Sequence, residues 1–159
     1  MRGMLLSFQP RVFDLIRSGK KIFEYRYQFP NEPIRAYMYV SKPVQAIVGY
    51  LELDNRINIL DWKEQYSYDS EISKRIDEYL ARNNRYVMPI KKFVMTEPVE
   101  LRKLNASLEK FIIPQSYYFL DTFPELKELI NREIIETGEI TINDFTIIKD
   151  KDICVRSYD

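Results

Sequence analysis

The sequence contains no histidine, one cysteine, one tryptophan and only four glycines in 159 residues. Without imidazole, Ser-His-Asp and Cys-His catalysis are closed to anything the chain does alone, as are zinc sites built on histidine. The lone cysteine, Cys154, forms no internal disulfide, which fits a reducing compartment. Any acid or base is therefore Lys, Asp, Glu, Tyr or that one thiol. No spacing of carboxylates argues for a magnesium site, and no motif calls for a cofactor. No apolar run approaches the roughly 18 residues of a membrane helix. The opening Met1–Phe8 is too short an apolar stretch for a signal peptide. The expectation is a cytoplasmic protein with no membrane, metal or cofactor partner; protein partners are not legible.

What is present is an ordinary soluble composition, 45% hydrophobic and 30% charged, in a chain of single-domain length. The net charge is zero, yet it is unevenly spread. Residues 1–120 hold 19 Lys+Arg against 14 Asp+Glu, and residues 121–159 hold 5 against 10. A basic face with an acidic, solvated tail and plain surface scatter both account for this excess.

Leu5, Leu6 and Phe8 predict a strand, and Pro10 starts a helix whose apolar positions Val12, Phe13, Leu15 and Ile16 end at Ser18-Gly19. From Ile22 to Phe29 the pattern alternates. Phe23, Tyr25, Tyr27 and Phe29 take one face and Ile22, Glu24, Arg26 and Gln28 the other. Strands are expected over Arg35–Val40 and Gln45–Asp54, with Gly49 marking a bulge or close approach. Residues 61–82 read as one amphipathic helix. Tyr86–Met95 reads as a strand broken at Pro89 and Lys91-Lys92, with Val99–Leu104 continuing the sheet. The most apolar and aromatic stretch runs from Phe111 to Leu120. A helix is expected after Pro124 and a terminal hairpin over Ile140–Val155, so that residues 124–155 pack on the rest of the domain.

The segment Gly19-Lys20-Lys21-Ile22-Phe23-Glu24-Tyr25-Arg26, placed after a strand and a Pro-started helix, resembles the G-x-K-x-x-E-x-R signature of the ASCH family in the PUA-like superfamily. Tyr39-Val40-Ser41-Lys42-Pro43 leading into Ile47-Val48-Gly49, and Ile113-Pro114-Gln115-Ser116-Tyr117, are similar to two further ASCH segments in the same order. The resemblance covers residues 4–120. It implies an α+β fold, a mixed β-barrel with peripheral helices, in which residues 1–120 form the barrel domain and residues 121–159 a C-terminal helix-and-strand extension packed on it. It also implies a charged cleft that holds RNA or a modified nucleoside or nucleotide.

In physical terms Glu24 and Arg26 share a strand face, with Lys20 and Lys21 at its rim. Guanidinium and carboxylate together suit a base edge and lysines suit phosphate; a structural ion pair with solvated lysines is the plain alternative. Gln115 and Ser116 offer an amide and a hydroxyl where the chain enters a strand, which serves a ligand or merely a turn. Ser41 and Lys42 border the cleft by resemblance. Tyr37 and Tyr39 either stack on bases or lie under a covered sheet face. Some ASCH proteins remove the acetyl group of acetylcytidine with a lysine, a threonine and a glutamate, and others are ribonucleases. The lysine matches Lys21, but Glu24 stands where the threonine belongs, and no residue between Leu60 and Lys74 aligns with the glutamate, Glu64 being only a candidate. Binding is therefore the leading expectation and hydrolysis, with Lys21 and Glu24 as catalytic groups, the alternative.

Overall fold

In this computed structural model, which describes residues 1–158, the chain opens with β1 (Arg2–Phe8), α1 (Pro10–Arg17) and β2 (Phe23–Arg26). β1 runs parallel to β3 (Ile34–Val40) and antiparallel to β7 (Tyr117–Phe119). β3 pairs with β4 (Ala46–Leu53), and β4 pairs with the 15-residue β6 (Tyr86–Glu100). The start of β6 carries β2 and the short β5 (Ile57–Asn58), and its later part carries β4 and β8 (Glu136–Ile142). The order β2-β6-β4-β3-β1-β7 forms a curled, mixed half-barrel. Helices α2 (Ile59–Gln65), α3 (Ser70–Ala81), α4 (Leu101–Ser107) and α5 (Pro124–Glu133) complete an α+β fold. No helix among the described residues is long and apolar enough to cross a membrane.

Alternation along the strands sorts apolar side chains into separate layers. Met4, Leu6, Met38, Leu51 and Phe93 fill the concave side together with Phe13 and Ile16 of α1. Leu5, Tyr37, Tyr39, Tyr50 and Val94 face the other way and are covered by Leu104 of α4 and by Leu126, Leu129 and Ile130 of α5. Tyr37 and Tyr39 are thus under a covered face and do not present rings to a ligand. Gly49 marks a close approach of β4 and β6. A Cβ there would lie 2.5 Å from the Val94 carbonyl oxygen and 2.9 Å from the Phe93 ring, closer than packed atoms tolerate.

Several sequence expectations give way. Residues 61–82 form two helices, because the Asp69 carboxylate accepts from the Glu71 and Ile72 N–H groups and starts α3 afresh. The alternation over 22–29 yields a strand only at Phe23–Arg26, and Tyr27 and Gln28 are exposed in a bend. Pro89 and Lys91-Lys92 do not break β6. They mark a register shift against β4, where the strand leaves one set of partners for another. β6 then ends at Glu100 and Leu101 begins a helix, in place of a strand to Leu104. Within Phe111–Leu120 only Tyr117–Phe119 is strand, and Ile112 and Ile113 are exposed. No terminal hairpin forms. β8 pairs with β6 alone, and Ile140, Ile142 and Ile147 stay exposed. Farther on, Ile153 and Cys154 are buried against Phe23, Tyr25, Trp62 and Ile76.

Candidate functional site

The site begins at the end of α1. Gly19 adopts a left-handed φ of 78°, which glycine takes without penalty. Its N–H donates to the Ile16 carbonyl, and the Lys21 N–H donates to the Leu15 carbonyl at 3.0 Å. These bonds fold the chain back so that Lys21 enters beneath the helix just before β2. Along β2, Phe23 and Tyr25 enter an aromatic layer, with the Phe23 ring 5.0 Å from Trp62 and the Tyr25 ring 4.6 Å from Tyr79. Glu24 and Arg26 take the other face, opposite Met88 and Tyr86 of β6.

Lys21 and Glu24 are buried, at 9% and 7% exposure, among a mostly apolar set of buried residues. One Glu24 oxygen, Oε1, accepts from the Tyr25 N–H at 3.2 Å and lies 3.7 Å from Arg26 Nε. That distance permits attraction but no hydrogen bond. Glu24 Oε2 and Arg26 Nε are buried with no hydrogen-bond partner among the described residues. Arg26 Nη1 donates to the Ser116 hydroxyl at 3.1 Å, which fixes the guanidinium across the mouth of the site. The Lys21 ammonium sits 5.1 Å from the Tyr25 ring centre and 5.9 Å from that of Tyr158. Burial pulls the Lys21 pKa below the usual lysine value; Glu24 opposes this and Arg26 adds to it.

Elsewhere in this chain some arginine–carboxylate pairs stay loose, such as Arg75–Glu71 at 4.0 Å and Arg2–Glu32 at 3.8 Å, each with at least one exposed partner, while others close fully. Arg17 holds Glu139 with two bonds of 2.6 and 2.7 Å, and Arg156 holds Glu78 with two of 2.7 Å. A pair that served only to fix β2 would be expected to close the same way, because an unmade bond in a buried place costs about 1–3 kcal/mol. The open pair leaves a buried donor, Arg26 Nε, and a buried acceptor, Glu24 Oε2, without partners among the described residues. Such a set can grip a planar edge bearing an acceptor and an amine.

Against this geometry the fold can be matched to known structures. No protein-family model matches the chain, and no curated protein matches it. A tyrosine-to-phenylalanine variant of an ASCH protein from Zymomonas mobilis matches over 85% of this chain and 100% of its own, with a TM-score of 0.61 at 20% identity. The ASCH structure from the same organism matches over 84% and 96%, with a TM-score of 0.60 at 20% identity. The fold is of the ASCH type. A serine-to-alanine variant of the Zymomonas mobilis protein matches over 82% and 96%, with a TM-score of 0.58 at 20% identity. This level of identity speaks for the ASCH fold alone.

Of the residues expected at an ASCH cleft, the structure gathers Lys21, Glu24, Arg26 and Ser116. Lys20 is exposed and lines a groove with Asn143, Lys149 and Tyr158, the last of which also faces the Lys21 ammonium. Gln115 is exposed beside Ser116 and makes no side-chain hydrogen bond among the described residues. Ser41 and Lys42 lie on the loop after β3. The Ser41 N–H donates to Phe8, next to Ser7, whose hydroxyl donates to the Pro114 carbonyl. That loop therefore neighbours the Ser116 segment, while the exposed Lys42 side chain makes no ion pair with the trio. Glu64 is exposed on α2.

The environment of the single thiol disfavours a nucleophilic role: Cys154 is fully buried, and burial pushes its pKa up to about 12. Among the described residues no group of three His, Cys, Asp or Glu side chains is placed to hold a metal ion. Sequence reasoning missed a cleft bounded by Tyr27, Arg56, Arg85, Tyr86 and Tyr117. Its residues come from separate segments, and among those named only Arg85 and Tyr86 are neighbours in the sequence.

Proposed function

We propose that this ASCH-fold protein binds RNA or a modified nucleotide, with Glu24 and Arg26 reading a base edge and Lys21 supplying positive charge beside them. The observation that carries the reading is the open Glu24–Arg26 pair, 3.7 Å apart, each with a buried polar atom unused among the described residues. A carboxylate accepts from an exocyclic amine such as that of cytosine, and a guanidinium donates to ring or carbonyl acceptors. Ser116 holds the guanidinium in place before a ligand arrives, which lowers the ordering cost of binding.

Titration with short single-stranded RNA and with acetylcytidine, at several salt concentrations, tests this. RNA affinity is expected to fall with salt, with a logarithmic slope of about −0.7 per neutralised phosphate. Absence of binding by both probes would sink the reading.

A second reading is favoured by Lys21, whose lowered pKa puts more neutral amine near ambient pH than an exposed lysine has. On this reading Lys21 assists water or a hydroxyl in removing an acyl group from a nucleoside, or in cleaving RNA. The Ser116 hydroxyl, held by Arg26, is a candidate for the hydroxyl that position 24 lacks. Chromatography after incubation separates the two readings. Cytidine from acetylcytidine, or shortened RNA, appears only if chemistry occurs, and neither product appears if binding is the whole function.

A further inference from the structure

Beside Arg26 lies an open cleft of about 350 Å³, within the usual ~300–1,000 Å³ span of small-ligand sites. Glu24, Arg26 and Ser116 do not line it, but two of its walls adjoin them in the chain. Tyr27 follows Arg26, and Tyr117 follows Ser116. A third link is β6, where Tyr86 pairs with Arg26 and the Arg85 N–H donates to the Arg26 carbonyl at 3.0 Å.

The cleft is built of rings and guanidinium groups. Arg56 sits 4.0 Å from the Tyr86 ring centre and Arg85 sits 5.4 Å from it. Arg56 is held in place by a 2.6 Å bond to the Phe29 carbonyl. Tyr27 is 49% exposed, and Tyr117 is braced edge-on by Phe29, their centres 5.4 Å apart. Neither Arg56 nor Arg85 forms an ion pair among the described residues, whereas Arg2, Arg17, Arg75 and Arg156 all meet carboxylates. Two cations left without anions over an aromatic wall match the chemistry of a phosphate attached to a stackable base.

We infer that this cleft is a phosphate subsite with a stacking wall, taking the phosphate next to the nucleoside held at Glu24 and Arg26. The inference rests on the nucleotide-binding reading above and sharpens it: the preferred ligand is a strand, and the cleft holds the linkage to its neighbouring nucleotide. A terminal phosphate on a single nucleotide has the same chemistry and would enter the same place, so the probes must separate the two.

The test compares acetylcytidine, its monophosphates and a short single-stranded RNA containing acetylcytidine, on the wild-type protein and on Arg85→Ala. Arg85 is the better position because its exposed side chain makes no hydrogen bond to the fold among the described residues, whereas Arg56 also holds Phe29. Arg56→Lys, which keeps the charge, serves as the second variant, and melting temperature is recorded for both. The expected order of affinity is nucleoside, then monophosphate, then RNA. Arg85→Ala should lose several-fold of the RNA affinity, flatten the salt slope by about 0.7, and leave the nucleoside affinity unchanged. Arg56→Lys should weaken RNA binding less than Arg85→Ala while leaving the salt slope in place.

If the monophosphate binds as tightly as RNA, the cleft takes a terminal phosphate and the strand preference is overturned. If wild type binds all probes equally, or Arg85→Ala weakens them equally, the subsite is overturned. In those cases Arg26→Ala still tests the parent reading separately. Loss of nucleoside binding in Arg26→Ala with no effect of Arg85→Ala sinks the subsite alone, and retention of nucleoside binding in Arg26→Ala sinks both.

Discussion

Two arginine–carboxylate pairs on the surface and one inside make an instructive contrast. Where exposed partners close fully, Arg17 holds Glu139 and Arg156 holds Glu78 with paired bonds near 2.7 Å, although other exposed pairs stay loose. At the foot of β2, Arg26 and Glu24 stop at 3.7 Å in a far drier place. Burial strengthens attraction between charges, so the inner pair has the greater reason to close. It is held open instead. The Tyr25 N–H takes one carboxylate oxygen, Ser116 takes one end of the guanidinium, and strand geometry spaces the two side chains two residues apart. The difference separates a contact that completes the fold from one kept ready for something else.

The comparison is sharpened most by Arg26→Ala. It should weaken nucleotide binding by about 1–3 kcal/mol, the range for a good base-edge contact, with a small change in melting temperature. Early melting with unchanged affinity per folded molecule would make the inner pair structural after all. Glu24→Gln comes next, keeping the side chain's shape and an oxygen for the Tyr25 N–H while removing the charge. The expected loss is about 1–2 kcal/mol in binding of an amine-bearing base, and calorimetric titration against a base lacking the amine should show no loss.

A smaller effect belongs to Lys21 and is read through pH. Its folded-state pKa lies below the ordinary value of 10.5. At low pH both folded and unfolded chains hold the proton, and the fold carries the full cost of a buried charge. As pH rises past the folded value towards 10.5, the folded chain sheds the proton first and this cost fades. Wild-type stability should therefore climb relative to Lys21→Met over that alkaline interval, as followed by denaturant unfolding, while binding of an anionic ligand falls. Parallel stability curves for the two proteins would refute a depressed lysine. The smallest effect is that of Arg17→Ala, which removes an exposed pair. Its melting temperature should move little, less still at high salt, and RNA affinity should not change at all.

Much of the site was legible because its parts are local. Glycine after an amphipathic helix forecasts the left-handed turn, and alternation over a few residues assigns Glu24 and Arg26 to one face. Ser116 was marked as a hydroxyl on a loop, though its partner was not. The fold was legible to the extent that period and punctuation agree. They parted company at Asp69, a capping residue inside what reads as one helix over 61–82, and in β6, where a proline and two lysines imitate an end. Nothing local reports that a strand changes partners. The Arg56–Arg85 cleft escaped for a similar reason: its walls meet only after the bend following β2, the residue before β5, the start of β6 and β7 converge.

β6 also sets how the molecule can open. Among the described residues it is the one strand bonded to β2 and β5 near its start and to β4 and β8 farther on. Solvent exchange at a backbone amide requires its hydrogen bond to break, and the best-connected strands release theirs last. Amides of β6 should thus be the slowest to take up deuterium. Because Tyr86 and Met88 lie opposite Arg26 and Glu24 on that strand, the floor beneath the charged pair should hold its protons nearly as long as the fold itself, even while the exposed bend at Tyr27 and Gln28 exchanges freely.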